Sequence, residues 1–144
     1  MKYAFIINPI AGNGKKADKL CKEISAAALD SEFDIELHYT TGPGSATHIA
    51  DKVAASAERD GEEVRIYACG GDGTVNEVAN GLYGHANAAL GVIPIGSGND
   101  LIRNFGGPRA TDYKDLMSQI LAEEEVIDVM SYSYKREGKS YNKI

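Results

Sequence analysis

Tryptophan is absent from the sequence, cysteine occurs twice and proline four times. Cys21 and Cys69 are too few to form a disulfide framework, so the fold must rest on a hydrophobic core. The longest apolar runs are five or six residues. That is far short of the ~20 needed to span a bilayer as a helix. Met1-Lys2-Tyr3 leads straight into a strand-like run, with no charged and apolar leader pattern, so a cytoplasmic setting is expected. Positive charge is in deficit: 15 Lys and Arg stand against 21 Asp and Glu, a net charge of −6. A general nucleic-acid binder needs a basic face to neutralise phosphates, so no nucleic-acid partner is expected. The three histidines, His38, His48 and His85, have no metal-ligand spacing and receive no role.

The remaining composition is that of a globular domain, 43% hydrophobic and 25% charged over 144 residues. A chain of ~150 residues buries roughly 70% of its unfolded surface, enough for a core without staples. Short β-branched or aromatic runs alternate with helical windows. Tyr3–Ile7 reads as a buried strand. Lys15 to about Ala28 reads as a helix, with Ala17, Leu20, Cys21, Ile24 and Ala28 on one face. Asp34–Tyr39 alternates and reads as a less buried strand. Ser45 to about Glu58 is a second helix with Ser45 as its expected N-cap. Val64–Cys69 and Leu90–Ile95 are further strands. Thr74–Leu82, Asn99–Phe105 and Thr111–Ala122 are further helices. This alternation predicts an α/β fold: a three-layer, open, largely parallel sheet with helices on both faces.

The end of the chain changes character. Val126–Tyr134 and the residues from Ser140 onward read as two strand arms around Lys135-Arg136-Glu137-Gly138-Lys139, a hairpin with Gly138 at its turn. We therefore expect a domain over 1–125 and, in 126–144, the opening of a second one belonging to a longer protein.

Three glycine-rich segments fall at strand-to-helix junctions: Asn8-Pro9-Ile10-Ala11-Gly12-Asn13-Gly14-Lys15, Gly70-Gly71-Asp72-Gly73-Thr74 and Gly96-Ser97-Gly98-Asn99-Asp100. In an open parallel sheet these junctions gather at the carboxyl edge, where ligands bind. Glycine lets backbone N–H groups approach an anion closely, and the helix behind each loop adds partial positive charge. Three such loops on one edge point to a nucleotide polyphosphate. Gly12-x-Gly14-x-x-Ala17 formally matches the dinucleotide fingerprint, but four residues separate the strand from its first glycine. The Walker pattern fails too, because Gly14-Lys15 is followed by Lys16.

Asp72 is the informative carboxylate. Among phosphate loops it can hold Mg²⁺, accept a proton from an attacking hydroxyl, or cap the helix that follows, a role Thr74 could share. Glu77, in the first turn of that helix, can complement its macrodipole or orient Lys15 or a ribose. Lys15 can neutralise developing charge or simply be solvated.

Together these segments resemble the catalytic domain of the diacylglycerol kinase family. The matching residues are Asn8-Pro9-x-x-Gly12, Gly70-Gly71-Asp72-Gly73-Thr74-x-Asn76-Glu77 continuing Val78-Ala79-Asn80-Gly81-Leu82, and Pro94-x-Gly96-Ser97-Gly98-Asn99-Asp100-x-x-Arg103. Ser97 stands where the family often has threonine, keeping the hydroxyl. The resemblance implies an ATP-binding N-terminal domain related to those of NAD kinases and phosphofructokinases, with a β-sandwich covering a lipid site. It implies phosphate contacts from Asn8, Gly12, Gly14, Lys15 and Gly70 to Asn76, and a nucleotide contact from Thr40 or Thr41. The base would lie in the second domain, as in bacterial members, or at Asp72, as in sphingosine kinases. The expected site is thus Asp72 as catalytic and metal-binding residue. Asn8, Pro9, Gly12, Gly14, Lys15, Thr40, Thr41, Gly70, Gly71, Gly73, Thr74, Asn76, Glu77, Gly96, Ser97, Gly98, Asn99 and Asp100 would surround ATP. The expected reaction is transfer of the γ-phosphoryl group to a lipid hydroxyl, with Mg²⁺, peripheral membrane contact through the whole protein and a homodimer left open. An NAD kinase-like enzyme or a non-catalytic nucleotide module is the alternative.

Overall fold

The computed structural model describes residues 1–30, 32–97, 100–104 and 115–144. Strands β1 (Lys2–Ile7), β2 (Asp34–Tyr39), β3 (Val64–Gly70) and β4 (Ala88–Pro94) form one sheet in the order β2-β1-β3-β4. Every pairing in it is parallel. β1 and β3 are the central strands and almost wholly buried, whereas β2 lies at an edge and is half-buried, as its alternation predicts.

Helices cover both faces. α1 (Lys15–Asp30) and α5 (Leu116–Ile120) place Ala17, Leu20, Ile24, Leu116 and Ile120 against Tyr3, Phe5, Tyr67 and Ile93. α2 (Ser45–Arg59) and α3 (Asp72–Leu82) pack Ala46, Ala50, Ala54, Ala57, Val75 and Val78 against Ala4, Ile6, Ile66 and Ala68. The alanine stripe of α2 keeps its backbone close to both neighbours. Gly81 of α3 meets the Thr47 carbonyl and the Ala50 methyl there, with no room for a Cβ. Gly91, paired with Tyr67 across β3 and β4, leaves space for that ring. The ring also stacks on Phe5, with centroids 4.6 Å apart.

Three local expectations need correction. Ser45 is not an N-cap: α2 begins at Ser45, and Gly44 precedes it with φ 80°. The helix expected from Thr111 begins at Leu116, because Asp115 caps it by accepting the Ser118 N–H at 3.1 Å. The expected positions 111–114, like the end of the helix expected at Phe105, lie outside the described residues. Leu116 and Ile120 of this short helix are buried, whereas Met117 and Leu121 face outward. The first hairpin arm starts late. β5 (Tyr132–Arg136) pairs antiparallel with β6 (Lys139–Lys143), and Val126–Ser131 is unpaired among the described residues. Glu137 and Gly138, both at positive φ, make the two-residue turn that suits the strand twist.

α5 is held through β3. The Arg65 guanidinium donates to the carbonyls of Ile120 (2.9 Å) and Ala122 (2.8 Å) and to Glu124 (2.8 Å). No helix among the described residues is long and apolar enough to cross a membrane.

Candidate functional site

The winding of the sheet reverses between β1 and β3: the chain moves outward from β1 to β2, then back across to β3 and on to β4. A crevice opens at the carboxyl ends of strands where winding reverses. The first and second glycine loops leave β1 and β3 at this point, and the third leaves β4 beside them.

The loops are in contact. The Asn8 N–H donates to the Cys69 carbonyl at 2.9 Å, tying the first loop to the end of β3. The Gly70 carbonyl accepts the N–H groups of Ile95 (3.2 Å) and Gly96 (3.0 Å), tying the second loop to the third. A Cβ on Gly96 would stand 2.5 Å from the Gly71 Cα, and one on Gly12 would stand 2.7 Å from the Ile95 carbonyl oxygen. These glycines are required for the loops to touch, quite apart from any ligand. Gly12, Asn13 and Gly14 all take positive φ, which packs the first loop into a tight coil before Lys15 opens α1. The Asn8 side chain accepts the Ile10 N–H at 3.2 Å and braces the coil, while Pro9 and Lys15 face solvent.

Asp72 stands where the loops meet. It does not cap its own helix: Gly71 is the N-cap and supplies no side chain. The Asp72 carboxylate accepts the N–H of Asp100, the first residue of α4 (Asp100–Asn104), at 2.7 Å. Gly73 is exposed and has nothing within 4 Å of an added Cβ. Thr74 turns inward and packs over Gly70. Asn76 is exposed and donates to the Ile144 carbonyl at 3.4 Å. Ser97 is exposed beside Gly96; Gly98 and Asn99 lie outside the described residues.

Glu77 faces neither Lys15 nor open solvent. Its carboxylate accepts the N–H of Gly44 at 2.8 Å and of Ala46 at 3.1 Å, so it caps α2 from α3. Thr40 extends the sheet by donating its N–H to Ile7 at 3.0 Å, and Thr41 donates its own to the Ser45 hydroxyl at 3.1 Å. Thr41 thereby walls an open cleft of about 560 Å³, shared with Tyr39, Pro43, Ser45, His48 and Ile49. His48 and Tyr39 received no role from the sequence. Their place beside the loop that follows β2, on the same edge as the three glycine loops, was the available signal. The Tyr39 hydroxyl donates to the Cys21 sulfur at 3.4 Å, and this bond, with some burial, raises its pKa. Burial pushes the Cys69 thiol well up, which leaves it an inert core group.

Among the described residues no three His, Cys, Asp or Glu side chains gather as a ready-made metal site. Mg²⁺ needs only one or two carboxylates and completes its shell with phosphates and water, so Asp72 at the loop junction fits the ion. Asp72 would hold it, and the ion would offset phosphate charge.

Known proteins share this arrangement. The family model for the diacylglycerol kinase catalytic domain matches residues 2–132. A diacylglycerol kinase of Bacillus subtilis (strain 168) is 40% identical over 131 residues, covering 90% of this chain and 41% of that protein. A sphingoid long chain base kinase of Saccharomyces cerevisiae is 33% identical, covering 96% of this chain and 20% of that protein. A crystal structure of a diacylglycerol kinase from Bacillus anthracis str. Sterne superposes with a TM-score of 0.60 at 28% identity, covering 97% of this chain and 47% of that one. The chain thus spans less than half the length of these relatives. With the motif order, the sheet topology and the family match in agreement, the chain belongs to the diacylglycerol kinase catalytic domain family.

Proposed function

We propose that this chain is the ATP-binding part of a lipid kinase, which moves the γ-phosphoryl group of ATP to a lipid hydroxyl. The observation that carries the reading is the mutual contact of three glycine loops at the point where the sheet reverses its winding. Phosphoryl transfer asks for positioning and charge stabilisation more than for covalent chemistry, and backbone N–H groups at converging loops supply both. The phosphates lie among Asn8–Lys15, Gly70–Thr74 and the third loop. The nucleoside end lies in the cleft beside Thr40 and Thr41. Asp72 orients the reacting end, holds Mg²⁺, or accepts the hydroxyl proton, according to where the full protein keeps its base.

Residues 126–144 open a second domain in this reading. As strands, β5 and β6 pair only with each other among the described residues, Ile144 just beyond them bonds to Asn76 and Asn80 of α3, and Tyr132 and Tyr134 are exposed. A two-stranded ribbon is marginal alone, so further chain is expected to cover it. The lipid and any membrane contact belong mainly to that part.

The test is phosphorylation by the intact protein, with ATP and Mg²⁺, of diacylglycerol in mixed micelles and of NAD in parallel. Lipid phosphorylation is expected. NAD phosphorylation without a lipid product would overturn the choice of acceptor. No ATP uptake at millimolar concentration would overturn the nucleotide site itself.

A further inference from the structure

Helix α2 lacks what a helix start needs. Its N-cap, Gly44, offers no side chain, and its first turn contains no acidic residue. Glu77 makes up the deficit from another helix. One carboxylate oxygen takes the Gly44 N–H and the other takes the Ala46 N–H. The Thr47 hydroxyl returns a bond to the Glu77 carbonyl at 2.9 Å. One turn further along α3, Gly81 sits against Thr47 and Ala50 without space for a Cβ. The start of α2 is therefore fixed to the helix that begins with the second glycine loop. The cleft is fixed with it, because Thr41 hangs from Ser45 in that same first turn.

The charge matters as much as the geometry. An unoccupied helix N-terminus on this sheet edge would itself attract phosphate. A carboxylate seated there cancels the partial positive charge and repels a second anion. Resting on the nucleotide-site reading above, we propose that Glu77 is a positioning residue for nucleotide recognition. It caps α2 in place of a local residue, sets the Thr41–Ser45 wall of the cleft, and reserves that cleft for the uncharged nucleoside end of ATP. The phosphates are thereby left to the three glycine loops.

The experiment compares ATP with inorganic tripolyphosphate, by calorimetric titration of wild-type chain, Glu77→Ala and Glu77→Gln. Glu77→Ala is expected to weaken ATP about tenfold while tripolyphosphate binds as well as before or more tightly. Glu77→Gln keeps one acceptor and should fall between. Equal losses for both ligands, or no loss for either, overturn the proposal and leave the nucleotide site standing. A wild-type chain that binds neither overturns the site and the proposal together. If Glu77→Ala does not fold, Glu77→Gln carries the same comparison: ATP is expected to weaken while tripolyphosphate does not, and equal losses overturn the proposal.

Discussion

The Asp72 carboxylate accepts the Asp100 N–H at 2.7 Å, across 28 residues of chain. One acid thus joins the helix of the second glycine loop to the helix behind the third. It has a structural task before any ligand arrives. That makes it possible to separate what its oxygen does for the fold from what its charge does for the chemistry.

Asp72→Asn keeps an acceptor oxygen for Asp100 and removes the charge. We expect a melting temperature close to wild type, a flattened Mg²⁺ dependence of ATP binding, and phosphotransfer by the intact protein reduced roughly a hundredfold or more. Asp72→Ala removes the acceptor as well. It should lose a further ~1 kcal/mol of stability. Thermal melts beside a kinase assay check both, and an active Asp72→Asn would remove Asp72 from the chemistry.

Two glycines of the loops should respond in opposite ways. A methyl on Gly96 meets the Gly71 backbone at 2.5 Å, and neither partner is a flexible side chain. Overpacking of this kind costs about 1–3 kcal/mol. A methyl on Gly73 meets nothing within 4 Å, and there alanine improves helix propensity by up to ~1 kcal/mol. Gly96→Ala should therefore melt earlier than wild type. Gly73→Ala should melt no earlier, yet bind ATP about tenfold more weakly if bare backbone there faces phosphate. Differential scanning fluorimetry with and without ATP separates the two.

Residues with local causes were readable from the sequence. The apolar rhythm of Tyr3–Ile7 and of α1, and the glycines after each strand, gave the layers and the edge on which the loops lie. Residues whose cause lies elsewhere in the chain were not. Ser45 has the right chemistry for a cap, but the cap comes from Glu77, 31 residues from Ala46. Gly91 inside a strand looks like a flaw until Tyr67 is placed across from it. Arg65 gives no sign in the sequence that it closes the end of α5. Asp115 has the chemistry of a cap, but it lies inside the Thr111–Ala122 window that reads as one helix.

The α2–α3 crossing gives a sharper test of packing against propensity. Alanine at Gly81 gains up to ~1 kcal/mol of helix propensity. Its methyl would meet the Thr47 carbonyl, a backbone atom, and the Ala50 methyl at 2.8 Å. The crossing cannot relax without displacing the start of α2, so the ~1–3 kcal/mol overpacking cost wins. Gly81→Ala is expected to lower the denaturant midpoint and to raise the exchange rates of the Gly44 and Ala46 amides. A stabilised variant would mean that α2 slides freely on α3.

Tyr67 is expected to make the fold lose stability at alkaline pH. Burial pushes its pKa up to about 12 from an ordinary 10.0, and the neighbouring Arg65 pulls against that shift. Its hydroxyl donates to the Gln119 carbonyl of α5 at 3.0 Å, a bond only the protonated form can make. A group whose folded pKa is raised contributes stability in full below its unfolded value and loses it as pH climbs through the folded one. The contribution of Tyr67 should thus be constant up to about pH 10 and decline toward pH 12. Tyr67→Phe loses the hydrogen bond, about 1 kcal/mol at neutral pH, but has no proton to give up. Urea melts of both proteins from pH 8 to 12 should show the wild-type advantage shrinking in that window. A constant difference across it would mean that the ionised ring escapes the core without disturbing α5.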